Sequence, residues 1–452
     1  MSTNITAETG ETGKNSTGTQ GKSNGNGNGK GSGKGAAGGK AAGGRRRLSY
    51  PVVLLIIAGG LVALSLLRIV TGADEITSSG QYSSALAAAV PIGLAGLGGL
   101  WSERAGVINI GLEGMMMLGA FGAGWMGWQH GPWMAALAGI IGGALGGLIH
   151  AIATVTFGVD HIVSGVAVNI LALGVVQFLA KLWFGAEGSA AAQAGGNDKQ
   201  SPPMEDMPTF TVPGLADGLK AVEQHHWFLV SDLAGILGSF VSNVSWLAVL
   251  AVALFVGSFF ALWRSSFGLR LRSCGESPVA AETLGVNVLR YKYAAVVVSG
   301  ALAGLGGAFL AIGVHIYQDQ QTGGRGYIGL ATMIFGNWRP GGVAMGAGLF
   351  GFMDALQLRA GGPTVHALLL LVAVLLAALA LWKLRKGGLI QAAISGVIAV
   401  GLLMWYLMTD TVPLEFVEMS PYITTLLVLS LAAQRLRPPK AIGRAYRRGQ
   451  GT

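Results

Sequence analysis

From residue 51 to residue 436 the chain is a succession of apolar stretches long enough, or nearly long enough, to cross a bilayer. They fall at about 51–70, 82–101, 107–128, 132–156 and 161–184. After a polar region at 185–243 they resume at about 244–263, 293–316, 327–338, 344–358, 365–382, 389–408 and 421–436. A crossing helix needs about 20 predominantly apolar residues, since in hydrocarbon only hydrogen bonds within the segment can satisfy the backbone. The repetition predicts an all-α, polytopic helical membrane protein with about 10–12 transmembrane helices. The pieces at 327–338 and 344–358 are too short for a full crossing. They predict half-helices or one broken helix, which a membrane tolerates only where the backbone is buried in protein or lines a cavity.

Charge is sparse, at 11% of 452 positions, where a soluble domain carries about 25%. The 74 glycines suit closely packed membrane helices. The net charge of +9 is mostly a tail effect: residues 1–47 hold eight Lys/Arg against Glu8 and Glu11, or +6, leaving +3 for the rest. That tail is Gly/Lys-rich, is expected to be disordered, and has no aromatics to pair with nucleic acid. None of its Gly-Lys pairs fits the phosphate-binding loop, so an ATPase, if one drives transport, is another chain. The single cysteine, Cys274, leaves no disulfide framework and no cysteine metal site. Arg45, Arg46 and Arg47 precede a first apolar run that reads as a retained anchor.

Charge asymmetry orients the bundle, with basic loops in the cytoplasm. Five crossings put 185–243 outside, where seven acidic residues stand against Lys199 and Lys220. A sixth returns to Arg264, Arg270, Arg272, Arg290 and Lys292. Counting on, Arg339, Lys383, Arg385 and Lys386 fall inside; Asp410, Glu415 and Glu418 fall outside; the basic C-terminus falls inside. Twelve crossings with both termini cytoplasmic satisfy every cluster. The expected organisation is a tail at 1–47, a transmembrane domain at 48–440 and a basic tail at 441–452. Within the domain lie an outer loop (185–243), a cytoplasmic loop (264–292) and two extra spans (365–408).

Two local features carry chemistry. The string ERAGVINIGLEG (Glu103 to Gly114) sets Glu103, Arg104, Asn109 and Glu113 between or inside apolar runs. A carboxylate at the bilayer centre costs on the order of 3 kcal/mol, so it faces a partner or a water-filled path. Two readings stay open: the polar wall of a pathway, or Glu103 paired with Arg104 and Glu113 in a structural hydrogen bond. The second feature is the loop RLRSCGESPVAAETLGVNVLRYKY. Ser277-Pro278 reads as a helix start, and Ala280, Ala281, Leu284 and Val288 as a small apolar stripe on a short helix. Such a helix can dock in a partner's groove or lie on anionic lipid. The adjacent His225 and His226 point different ways on any regular element and carry no metal expectation. Trp101, Trp263 and Tyr406 read as interfacial anchors.

The spacing Ala280-Ala281-x-x-x-Gly285 resembles the core of the coupling-helix motif of ABC-importer permeases, although position 279 is Val where an acidic residue often stands. ERAGVINIGLEG, DHIVSGVAVNILALG (160–174), GRGYIGLATMIFGNWRPGG (324–342) and the ending at 421–449 resemble the nucleoside branch of the ribose/branched-chain amino-acid permease family. The resemblance covers roughly 80–358 and 415–449; the two spans at 365–408 are an insertion relative to it. It implies an ABC-importer permease in the inner membrane that carries no catalytic residues and no cofactor of its own, ATP being bound by a partner subunit. Its partners would be that ATP-binding subunit, a second homologous permease, an extracytoplasmic substrate-binding lipoprotein and membrane lipid. By the same analogy residues 276–288 couple to the ATPase, through Glu276, Ala280, Ala281, Glu282, Gly285 and Asn287. Glu113, Asn109 and Asn169 would line the pathway. The alternative is an ion-coupled secondary transporter using Glu113; a membrane enzyme finds no nucleophile–base pair.

Overall fold

The computed structural model describes residues 50–413, 415–420, 423, 426, 436–447 and 449. The tail at 1–47 and most of the last predicted span, 421–436, lie outside the described residues. The chain divides into two units, Met1–Val53 and Leu54–Thr452, and every interaction below lies within the second.

The helices in chain order are α1 (Tyr50–Thr71), α2 (Ser79–Arg104), α3 (Leu112–His130), α4 (Pro132–Ala151) and α5 (His161–Trp183). The polar region holds α6 (Ala190–Gln193), β1 (Thr209–Phe210), α7 (Leu215–Gln224) and α8 (Val230–Gly238), with β2 (Val244–Ser245) pairing antiparallel to β1. Then come α9 (Trp246–Trp263), α10 (Ser266–Glu276), α11 (Pro278–Thr283), α12 (Val288–Gly313), α13 (Arg325–Phe335), α14 (Pro340–Ala355), α15 (Gly361–Arg385) and α16 (Leu389–Met408). Among the described residues seven helices are long and apolar enough to cross a membrane: α2, α4 with its extension to Thr156, α5, α9, α12, α15 and α16. The chain is a multi-pass membrane protein.

The two short predicted pieces are half-helices. At 11 and 16 residues, α13 and α14 rise only about 16 and 24 Å, against a hydrocarbon core of about 30 Å. Both pack on α2, which with α12 forms the buried axis of the bundle. The third predicted stretch begins later than its hydropathy suggests. Residues 105–111 are non-helical, and α3 starts only at Leu112.

Glycine sets how closely α3, α4 and α12 approach. A Cβ on Gly143 would collide with the Gly300 carbonyl, one on Gly304 with the Gly139 carbonyl, and one on Gly119 with Gly304. With no hydrophobic effect between helices in lipid, such backbone-to-backbone packing is what holds them together.

The region 185–243 is fastened to the bundle by a buried ion pair. Arg68 Nε lies 3.2 Å from Asp232 Oδ1, and the Ser65 and Thr77 hydroxyls donate to the same carboxylate. His225 stacks on Trp227, and among the described residues no three His, Cys, Asp or Glu gather as a metal site. Trp101 departs from its expected interfacial place: it is buried, its indole donating to Ser258 Oγ at 2.9 Å. The two spans expected at 365–408 lie in a hairpin, α15 on α16, whose spans are only 17% buried. Its apolar outer faces, such as Leu375 and Val397, suit contact with lipid.

Candidate functional site

The polar residues inside the bundle collect at two interruptions of helix. The first is the buried segment 105–111. Unwound backbone at this depth needs partners for its amides and carbonyls. Asn109, fully buried, accepts from Gly111 N through Oδ1 (3.1 Å) and donates to Ser299 Oγ on α12 (2.9 Å). Asn169 on α5 accepts from Gly114 N (2.8 Å) and donates to the Ile110 carbonyl (3.0 Å) and the Tyr327 hydroxyl (2.9 Å). The His150 ring bonds the Ile108 carbonyl and Ser164 Oγ, both at 2.9 Å. Asp160 caps α5, accepting from Ile162 N and Val163 N. Ser164 and Asn169 therefore serve different partners around one segment.

Glu113, in the first turn of α3, joins this break to α13. One oxygen accepts from the Thr322 hydroxyl (2.6 Å) and Gly324 N (2.9 Å), the other from Gly326 N (2.6 Å). The carboxylate thus occupies the N-terminus of the half-helix, where free amides and the helix dipole favour an anion. Gly324, the residue before α13, has φ +81°, and a Cβ on Gly326 would sit 2.6 Å from Glu113 Cα. Glycine at these two positions is what lets the acid approach.

The second interruption separates α13 from α14. Asn337 and Trp338 there have φ of 54° and 53°, a left-handed pair of non-glycine residues. Glu103 and Arg104, at the end of α2, hold it together. The Trp338 indole donates to Glu103 Oε2 (2.6 Å), and Arg104 Nε donates to the Trp338 carbonyl (2.9 Å). The two residues meet on Trp338 and not on each other.

Asn109, Glu113 and Asn169 are thus neighbours, each 8% exposed or less and each bonded within the protein. The groups that face open space next to them were not singled out from sequence. Tyr327, bonded to Asn169, is half-exposed. Arg325 pairs with Asp354 at 2.8 Å, and with Gly323, Gln357 and Glu418 they line a cavity of about 280 Å³ floored by Ile92, Ile328 and Phe350. The GRGY string carried a signal: an arginine inside an apolar stretch requires a partner. Asp354 lay 29 residues away with nothing in the sequence linking the two.

The coupling loop folds more tightly than the 276–288 reading. Pro278 takes the first helical position of α11, and the helix ends at Thr283. Gly285 N donates to the Glu282 carbonyl (2.8 Å) and Val286 N to the Ala281 carbonyl (3.0 Å), a Schellman closure that requires the φ of +82° at Gly285. Asn287 begins the next helix, accepting from Arg290 N. The expected apolar stripe divides. Ala281 and Val288 pack with Cys274 beneath, while Ala280 and Leu284 face outward, Leu284 at 84% exposure. Because α11 ends at Thr283, Leu284 lies at its C-cap and Val288 opens α12, so the four residues never share one helical face.

Burial pushes the Cys274 thiol up to about 11, although nearby Lys292 opposes the shift. Native Cys274 is therefore expected to react with iodoacetamide at pH 8 at no more than about a tenth of the unfolded rate. Mass spectrometry of native and denatured samples checks this. Because the folded value lies above the unfolded one of 9.0, the associated stability is complete below pH about 9 and is lost as pH rises through about 11.

A half-helix pair and a buried unwound segment inside a multi-pass helical bundle are features that membrane transport proteins share. Comparison with known proteins agrees. The family described as "Branched-chain amino acid transport system / permease component" matches residues 81–379, extending into the first of the two spans at 365–408, and the chain belongs to it as a permease subunit of an ABC transporter. The guanosine ABC transporter permease NupQ of Bacillus subtilis is 40% identical over 279 residues, covering 60% of this chain and 79% of NupQ. The nucleoside permease NupC of Lactococcus lactis is 32% identical over 365 residues, 79% of this chain and 93% of NupC. A glucose permease of Haloferax volcanii, TsgB13, is 27% identical over 271 residues, 56% of this chain and 65% of TsgB13. No solved structure matches the chain.

Proposed function

We propose that this chain forms the translocation pathway of an ATP-driven nucleoside importer. The observation that carries the reading is the match to NupC over 93% of that nucleoside permease's length. In this reading ATP is bound and hydrolysed on a separate subunit docked at α11, so the chain is not itself an enzyme. A second homologous permease completes the path, and a lipoprotein delivers substrate at the face formed by 185–243. Both termini are cytoplasmic. Hydrogen bonds from Ala441 N to Gly275 O and from Lys440 N to Glu276 support one shared side for the C-terminal segment and the coupling loop. Nucleosides are neutral and rich in hydroxyl and amide groups, which suits the mixed donors and acceptors of the Arg325–Asp354 cavity. Asn109, Glu113 and Asn169 act as the frame that holds this pathway's breaks in place. The likeness to TsgB13 favours one competing substrate, a sugar.

The test purifies the transporter through this chain and compares wild type with Gly285→Pro. Proline cannot reach a φ of +82° and removes the amide that closes α11. ATPase retention is expected to fall about tenfold, with the chain still recovered as a folded, monodisperse protein because the change is confined to the closure of α11. In vesicles, wild type is expected to take up guanosine, and not glucose, on addition of ATP. Uptake driven by an ion gradient alone would instead establish the secondary transporter.

A further inference from the structure

Once both breaks and α11 have their roles, the unassigned contacts converge on the C-terminal segment Leu436–Gly449. Arg437 N donates to Asn337 Oδ1 (2.8 Å), at the break between α13 and α14. Gly443 N donates to the Gly106 carbonyl (3.2 Å), at the break between α2 and α3. Ala441 N donates to Gly275 O on α10 (2.9 Å). The amides of Lys440 and Gly449 reach the Glu276 and Glu282 carboxylates, each at 3.4 Å. Tyr446 packs on the cluster of Cys274, Ala281 and Val288 beneath α11, its ring 6.0 Å from the Lys292 ammonium. One short segment therefore touches both interruptions of the bundle and the helix that faces the partner.

Segment and helix also share an outer surface. A polar cavity of about 250 Å³ between them is lined by Glu282, Gly285, Asn287, Leu289 and Tyr446. Exposed along the loop and the segment are Leu284, just past the end of α11, the carboxylate-bearing Glu276, and the cations Arg290, Arg437, Lys440 and Arg444. An apolar knob among charges in which cations outnumber carboxylates fits a groove with an apolar floor and a net acidic rim. The segment turns at Gly443 through a φ of +73°, a backbone conformation that glycine adopts without strain.

We propose that Leu436–Gly449 and α11 form one docking surface for the ATPase, and that the segment carries movement of that surface to both breaks. The inference rests on the importer reading above, and adds to it a second ATPase-contacting element and a mechanical route. When the partner displaces α11, the amide bonds to Gly106 and Asn337 pull on the ends of α2 and α13 together. The two interruptions then move as a unit: α10, which leads into α11, packs on the first break at Gly106, and the segment adds the second at Asn337.

The experiment purifies the intact transporter from its own membranes through a tag on this chain and reconstitutes it in lipid vesicles. Arg444→Glu reverses an exposed charge and leaves the packing alone. It is expected to lower retained ATP hydrolysis about tenfold, with loss at lower salt than wild type. Gly443→Val puts a β-branched residue at a φ of +73° and strains the segment's seat against Gly106. In the fraction of transporter that still retains its ATPase, nucleoside taken up per ATP hydrolysed is expected to fall about tenfold. Wild-type retention in Arg444→Glu, or wild-type uptake by a chain ending at residue 435, overturns the proposal with the importer reading intact. A wild-type preparation that holds no ATPase removes the reading on which it rests.

Discussion

Gly304→Val is expected to produce a chain that does not survive extraction as a folded, monodisperse protein, a loss of more than about 3 kcal/mol. Gly304 sits on α12 where α3 and α4 both cross it. A Cβ there would strike the Gly139 carbonyl and crowd the backbone of Gly143, and Gly119 on α3 meets Gly304 from the other side. These obstacles are backbone atoms in helices, so no rotamer change relieves them. The helices must separate, and every contact that depends on their approach is lost with them. Gly313→Val on the same helix is the control. A Cβ at that position meets nothing within 4 Å, and wild-type behaviour is expected. Fluorescence-detected gel filtration of the two variants in mild detergent compares them directly. Equal recovery of both would refute the claim that this three-helix seam sustains the fold.

Glu113→Ala is expected to cost about 4 kcal/mol and to abolish transport. It strips the Gly324 and Gly326 amides and the Thr322 hydroxyl of their acceptor. Each buried donor left without a partner costs about 1–3 kcal/mol, and water is scarce at this depth. Glu113→Gln keeps one accepting oxygen but turns an NH₂ toward another donor, so about half that loss is expected. Thermal unfolding in detergent, measured alongside ATP-driven uptake, reads both effects. A Glu113→Gln variant with wild-type stability and no transport would point the other way, to a carboxylate whose charge is used in transport.

Much of the architecture was legible in sequence because hydrocarbon allows few solutions. Stretches of about 20 apolar residues could only be helices, and the shortness of 327–338 and 344–358 already marked them as partial. Ser277-Pro278 marked the start of α11, since proline favours a first turn; the 276–288 reading missed its end at Thr283, although glycine at 285 suits a left-handed closure. The late start of α3 was not legible. Val107, Ile108 and Ile110 are as apolar as any helix interior, and hydropathy does not report where backbone unwinds. Trp101 was misplaced for a related reason. An indole near a helix end suits an interface, and only the position of Ser258 on α9 shows that its N–H has a buried partner.

The sequence by itself determined the class of the molecule, its helical spans, the broken pair and the family-specific strings, because each depends on neighbours along the chain. The roles of the buried polar residues were decided by tertiary structure alone. Glu113 finds its donors more than 200 residues away, at Thr322, Gly324 and Gly326. Glu103 and Arg104 could as well have paired with each other as with Trp338, 235 and 234 residues on. The C-terminal segment reaches Gly106 and Asn337 only once the bundle has closed around both. A polar group in a membrane must have a partner, a demand visible in the sequence; which partner answers it depends on which helices pack side by side.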